Sequence, residues 1–244
     1  MLAYANHCAE RLNHKGVILL NVSRGGKADW IKDFGVPYIG LTGEWKAAID
    51  GLPTAFGGIL AVTAIDPDAP RGCLANPHTL RRRFGECKIA YLVVSSGQTN
   101  VPHDWPRTTA MSLDHRRESK EKLIWGSYIT RFLGSSITVA SPRYKDEGLR
   151  QKWQNNMQFL DKMYSSLDVK YATAAIPNKT FGNLDITILD TLAPDLLIAM
   201  TTDPRDRDVG DWLLGVPERK LLTHPSATTL LLLNQRDDLY VLCD

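Results

Sequence analysis

The stretch "PDLLIAMTTDPRDRDVGDWLLGVPERKLLTHPSATTLLLLN", residues 194–234, decides the fold of this chain. It holds two short apolar runs, "DLLIAM" at 195–200 and "TTLLLL" at 228–233, neither of which alternates with polar residues. Runs of that kind read as strands buried on both faces, and a helical pattern from about Val209 to Thr223 lies between them. Strand, helix, strand in that order makes a parallel pair joined by a crossover helix. The loop between the first strand and the helix, "TTDPRDRDVG" at 201–210, is polar and charged.

The same alternation extends upstream. Strand "TTAMSLD" (108–114) precedes a predicted helix over 119–134, with apolar residues at Leu123, Ile124, Tyr128, Ile129 and Phe132 and a stop at Gly134. "SSITVAS" (135–141) is the next strand, and 144–167 is the longest helix, with Leu149, Trp153, Met157, Leu160 and Met163 or Tyr164 on one stripe. Strand "VKYATAAI" (169–176) and a helix over 182–192 complete the run. Strands and helices in this order predict a parallel sheet covered on both faces.

The first half repeats the pattern in shortened form. "HKGVILLNVSR" (14–24) aligns with "FLGSSITVASPR" (132–143), "GGILAVTAIDPD" (57–68) with "PDLLIAMTTDPRD" (194–206), and "KIAYLVVSSGQ" (88–98) with "TTLLLLNQ" (228–235). From Gly16 to Gly134 the offset is 118 positions, whereas from Ile59 to Leu196 it is 137 and from Ile89 to Thr229 it is 140. The first copy is therefore the shorter, and the loss falls where "GGKADWIKDFG" (25–35) stands in place of the helix at 144–167. The smallest offset projects the first copy's opening strand to before Met1. Because the first strand of a doubly wound sheet is central, the chain is expected to be a piece of something longer. We expect two doubly wound parallel-sheet α/β units in pseudo-twofold tandem, an abbreviated one at 1–98 lacking its first strand and a complete one at 99–244. The second unit should carry an extra C-terminal strand at 237–243.

Composition narrows the function classes. Apolar residues make up 43% and charged residues 23%, as in a globular domain. With 29 basic against 27 acidic side chains there is no global field to steer the chain to nucleic acid. No window approaches the roughly 18 apolar residues of a membrane helix, so direct membrane insertion is not expected. Cys8, Cys73, Cys87 and Cys243 show no CxxC spacing, and the histidines show no HxH or HxxxH, so no metal site is expected. "LRRRF" (80–84) reads as a basic, solvated helix face.

The second copy, from about 108 to 234, resembles the universal stress protein domain. Three features carry the resemblance: a first strand ending in Asp114, "ITV" at 137–139, and the closing "LLGVPERKLLTHPSATTLLLL" at 213–233. The fold implied is Rossmann-like. Tandem copies of it resemble the C-terminal cytosolic region of prokaryotic cation/proton antiporters and the cytosolic domain of cation–chloride cotransporters. The resemblance therefore implies a non-catalytic regulatory domain on the cytoplasmic side of the cell membrane. Its expected partners are a membrane transport domain of the same polypeptide and a second copy in a homodimer. The alternative is a soluble tandem universal stress protein that binds an adenine nucleotide.

In ATP-binding members of that family the loop after the fourth strand carries Gly-x-x-Gly, whose backbone N–H groups close on phosphate. Here that stretch has Asp203, Pro204, Asp206 and Asp208, with only Gly215 matching the later glycine and Val216 in place of a hydroxyl. Proline removes a donor and the aspartates repel a polyphosphate, so no ATP cofactor is expected. Asp114 and the backbone at Val139 correspond to the family's adenine contacts, which with Gly215 makes a vestigial nucleotide site. By its own chemistry Asp114 also suits the cap of the turn "DHRRES". His115, Arg116, Arg117 and Glu118 read as a solvated turn without a catalytic partner, and His224 as a cation at a helix end.

Overall fold

A computed structural model of the chain describes residues 2–12, 19–21, 38–40, 60–71, 73, 75–84, 89–95, 98, 100–176, 184–201 and 217–234. In chain order the elements are α1 (Leu2–Arg11), β1 (Leu19–Asn21), β2 (Tyr38–Gly40), β3 (Leu60–Ile65), α2 (Pro77–Phe84), β4 (Ala90–Ser95), β5 (Thr108–Ser112) and α3 (Ser119–Tyr128). They continue with β6 (Ser136–Ser141), α4 (Glu147–Ser166), β7 (Tyr171–Ala175), α5 (Leu184–Leu192), β8 (Leu196–Met200), α6 (Pro217–Leu222) and β9 (Thr229–Leu233). Among the described residues seven strands form one sheet in the order β3-β4-β9-β8-β5-β6-β7, and β1 pairs with β2 in a separate parallel pair.

The second copy accounts for five neighbouring strands, β7-β6-β5-β8-β9, all parallel, with its first strand β5 in the centre. That is the doubly wound arrangement expected from the sequence. β3 and β4 are the last two strands of the first copy. They join the sheet where β4 meets β9 antiparallel, with Leu92 opposite Leu231. A pseudo-twofold at that pair carries Leu60 onto Leu196, because these residues are the partners of Ala90 and Thr229. The alignment of Ile59 with Leu196 was thus one residue out, a slip that periodicity within an all-apolar strand cannot detect. The predicted loss at 25–35, the long form of the strand at 14–24 and the strand at 237–243 lie outside the described residues, except for β1.

Side-chain alternation splits the core into two layers. Tyr91, Val93, Leu197 and Leu230 face α2, α5 and α6 through Leu80, Ile188 and Leu221. Leu92, Ile198, Leu231 and Val139 face α1, α3 and α4 through Tyr4, Leu123 and Leu160. Because β9 is flanked by a strand on each side and covered on both faces, all five of its residues are buried. At the N-terminal end of the central strands, Asp195 accepts hydrogen bonds from the backbone N–H of Arg107 (2.9 Å) and Thr108 (3.0 Å), pinning β5 to β8.

The helix at 119–134 departs from expectation. It runs as α-helix to Tyr128 and as a single wide turn over Ile129–Leu133, ending at Gly134 with φ of 75°. Leu123, Ile129 and Leu133 are buried, whereas Ile124, Tyr128 and Phe132, expected on the same stripe, follow one another at i, i+4 and i+8 along a stripe of their own that lies at the surface. Tyr128 and Phe132 stack there, with centroids 5.7 Å apart. The long helix α4 starts two residues after Lys145, with Asp146 as N-cap accepting from Leu149 N–H at 2.8 Å.

The core also buries protons. Burial pushes the Cys8 thiol up to about 12 from an ordinary 9.0. It also raises the Tyr164 phenol, and burial followed by Asp161 takes Tyr171 to about 12 from 10.0. Between the ordinary and the raised values the native state holds protons that the unfolded chain has lost, so stability falls as pH rises through that window. The urea midpoint should therefore decline steadily above pH about 9, an expectation that a flat midpoint between pH 8 and 11 would overturn.

Candidate functional site

Strand order reverses between β5 and β8, and the carboxyl ends of the strands at such a switch point are where doubly wound sheets bind ligands. Asp114 sits there, two residues beyond the end of β5. One carboxylate oxygen accepts from the backbone N–H of Arg116 at 2.9 Å and from the Ser119 hydroxyl. The other takes both Nε and Nη2 of Arg116, each at 2.7 Å. Asn156 Nδ2, from α4, donates to the carbonyls of Asp114 (2.8 Å) and Arg116 (2.9 Å) and so fixes the turn against the long helix.

Beneath the turn lies Lys122, only 1% exposed, donating to Ser112 Oγ at 2.9 Å. Burial presses its ammonium below the usual lysine value, opposed by the carboxylates of Asp114 and Asp185. For Asp114 burial would raise the carboxyl, but the cations of Lys122 and Arg116 and the hydrogen bonds from Arg116 and Ser119 outweigh it and hold it well below the usual carboxylate range. The cations of Lys122 and Arg116 are thus set against the carboxylates of Asp114 and Asp185. Ser112 and Lys122 touch, but both are under 5% exposed, which keeps the pair away from solvent.

The expected solvated turn is exposed at Arg116 and Arg117, and it is also hydrogen-bonded within itself. Arg116 doubles back onto Asp114, and the backbone N–H of His115 donates to Tyr144 Oη at 3.0 Å while the two rings meet edge to face, with centroids 5.4 Å apart. A short side chain flanked by hydrogen-bonding neighbours closes an Asx turn, which the i, i+2 spacing of Asp114 and Arg116 permits. His224 does follow a helix end, α6, and its Nε2 lies 3.1 Å from Asp190 Oδ1 on α5, so it bridges two helices rather than simply capping one.

Val139 is fully buried in the middle of β6, paired with Met111 on one side and Thr173 on the other. The structure brings Asp114 and β6 together through the bond from Leu113 N–H to Ala140 O at 2.8 Å. Gly215 and the loop at 202–210 lie outside the described residues. Sequence reasoning missed Lys122, Asn156, Tyr144 and Asp185. Only the i+8 spacing of Lys122 from Asp114 hinted at a shared location, and a lysine inside "SKEK" reads as solvent-facing.

No protein-family model matches the chain, and no curated protein matches it. Solved structures do. A universal stress protein from Archaeoglobus fulgidus superimposes with a TM-score of 0.61 at 8% identity, covering 97% of this chain and 92% of that one. A functionally unknown protein from Pseudomonas aeruginosa gives 0.60 at 12% identity, covering 96% and 87%. The cytoplasmic domain of a prokaryotic cation chloride cotransporter gives 0.54 at 12% identity, covering 93% and 88%. At these identities the likeness establishes the fold. This chain has a universal stress protein-like, Rossmann-like α/β fold. Among the described residues no helix is long and apolar enough to cross a membrane, and no group of His, Cys, Asp and Glu is placed to hold a metal.

Proposed function

We propose that this chain is a cytosolic regulatory or assembly domain of a membrane cation transporter of the cation/proton antiporter type, non-catalytic and without an ATP cofactor. The observation that carries the reading is the switch point itself. Asp114 has both carboxylate oxygens committed to Arg116 and Ser119, and the cations near it are set against Asp114 and Asp185. A site so closed on itself supports contact between domains better than capture of a phosphate. The likeness to a cotransporter's cytoplasmic domain over 93% of the chain supports the transporter setting. In this reading the domain lies on the cytoplasmic side of the membrane, works on a transport domain of the same polypeptide, and pairs with a second copy.

The second reading, a soluble tandem universal stress protein binding an adenine nucleotide, draws on the equally extensive overlap with the Archaeoglobus protein. Two measurements separate them. In cells expressing the whole gene, an antibody to this chain should detect it in the membrane pellet after an alkaline carbonate wash. Calorimetry of the chain with ATP, ADP, AMP and cyclic AMP should give no sub-millimolar binding. A soluble product with sub-millimolar nucleotide affinity would overturn the proposal in favour of the second reading.

A further inference from the structure

In the second copy β8 has a strand on each side and four of its five residues are buried. Its counterpart β3 has β4 on one side and no described strand on the other, and five of its six residues are only half-buried. The sequence of β3, "LAVTAI", carries no charge, proline or glycine. Exposed sheet edges are ordinarily guarded by such residues, since bare N–H and C=O groups invite pairing. β7, the opposite edge, has only small side chains after Tyr171 and is preceded by the exposed Lys170.

The pseudo-twofold says what would fit. It places Leu60, Ala61 and Val62 on Leu196, Leu197 and Ile198, the residues of β8 that face Thr109, Ala110 and Met111 of β5. The two faces agree: Leu60 and Val62 lie in the same core layer as Leu196 and Ile198, and Ala61 lies in the layer of Leu197. Overhead, α1 packs on β3 and reaches the wide turn after α3, while α3 packs on β8. Among the described residues β4 and α1 thus stand around β3 as β9 and α3 stand around β8, and no described strand occupies the place of β5.

We propose that the edge of β3 away from β4, which no described strand covers, is an acceptor for one further strand. Its occupant is an extended polypeptide segment of about five apolar and threonine residues. The segment runs parallel to β3 opposite Leu60, Ala61 and Val62, with its C-terminal end directed toward the N-terminus of α1. This acceptor stands apart from the transporter reading, since a soluble protein could use the same edge.

The test compares amide hydrogen exchange over residues 60–65 and 196–200. In the unmodified chain the β3 amides should exchange at least about tenfold faster than those of β8. Fusing a copy of the chain's own residues 107–118 ahead of α1 should slow β3 exchange about tenfold and raise the melting temperature by several degrees. The same fusion with proline at its copies of Thr109 and Met111 should do neither. The proposal fails if β3 in the unmodified chain is already as protected as β8, which would mean the chain covers its own edge. It fails equally if protection rises with protein concentration alongside a dimer, or if the fusion leaves β3 exchange unchanged.

Discussion

Replacing Asp114 by alanine should lower the unfolding free energy by about 1.5–3 kcal/mol, the range for hydrogen bonds to a charged group, since Arg116 and Ser119 lose their acceptor. Lys122 adds to this. Its ammonium is 1% exposed, its one described hydrogen bond is to the neutral Ser112, and Asp114 is the larger of the two anionic influences that keep it charged. Without that carboxylate the lysine must either stay charged in a poorly compensated site or lose its proton, and either outcome weakens the native state. Removing both charges together, Asp114→Ala with Lys122→Met, should recover part of the loss, because no buried ammonium is then left without its counter-charge, although Arg116, Ser119 and Ser112 each lose a hydrogen-bond partner. Urea denaturation of the two single variants and the double variant measures this directly. A loss below about 1 kcal/mol for Asp114→Ala, or strict additivity in the double variant, would refute the pairing. The same carboxylate has an acid signature. Its proton affinity is depressed in the folded state, so its stabilisation is present above the ordinary carboxyl value and is lost as pH falls below about 4.

The second large effect is expected at Gly126. A methyl group there would lie 2.4 Å from Tyr164 Oη and 2.7 Å from Ile137 Cδ1, so α3 approaches the sheet and α4 at a distance only glycine allows. Alanine is the better helix former by about 1 kcal/mol, yet Gly126→Ala should destabilise by about 1–3 kcal/mol, because Tyr164 is fully buried and has no room to withdraw. Tyr164 Oη also donates to Leu123 O at 3.0 Å, and Tyr164→Phe alone should cost about 1 kcal/mol. In the Gly126→Ala background the same change removes the nearest obstructing atom, so the double variant should be more stable than Gly126→Ala. Thermal melts of the three variants decide it. A double variant as unstable as the sum of the singles would place the strain elsewhere.

The strands were readable because burial on both faces leaves mostly one kind of residue: after their opening Asp195 and Thr228–Thr229, "DLLIAM" and "TTLLLL" have no polar position to confuse the pattern. Duplication was readable for the same reason, through recurring landmarks. What the pattern could not supply was register within an apolar run, which is why Ile59 was matched to Leu196 when geometry pairs Leu60 with it. The helix at 119–134 misled because Ile124, Tyr128 and Phe132 make an apolar i, i+4, i+8 stripe that looks like a core face, while the fold buries the neighbouring stripe that holds Leu123, Ile129 and Leu133. The switch point was half legible. Asp114 announced itself as the polar end of an apolar strand, whereas Lys122 did not, since a charged residue among charged neighbours gives no sign that the fold turns it inward.

The antiparallel seam between β4 and β9 bears on mechanics. A ladder of backbone hydrogen bonds runs unbroken from β3 to β7, six strand spacings of about 4.8 Å each, or roughly 29 Å. The two units share that ladder instead of meeting through a flexible joint, so tilting one must tilt the other. A push received at either rim is delivered across the whole width as displacement of a stiff plank.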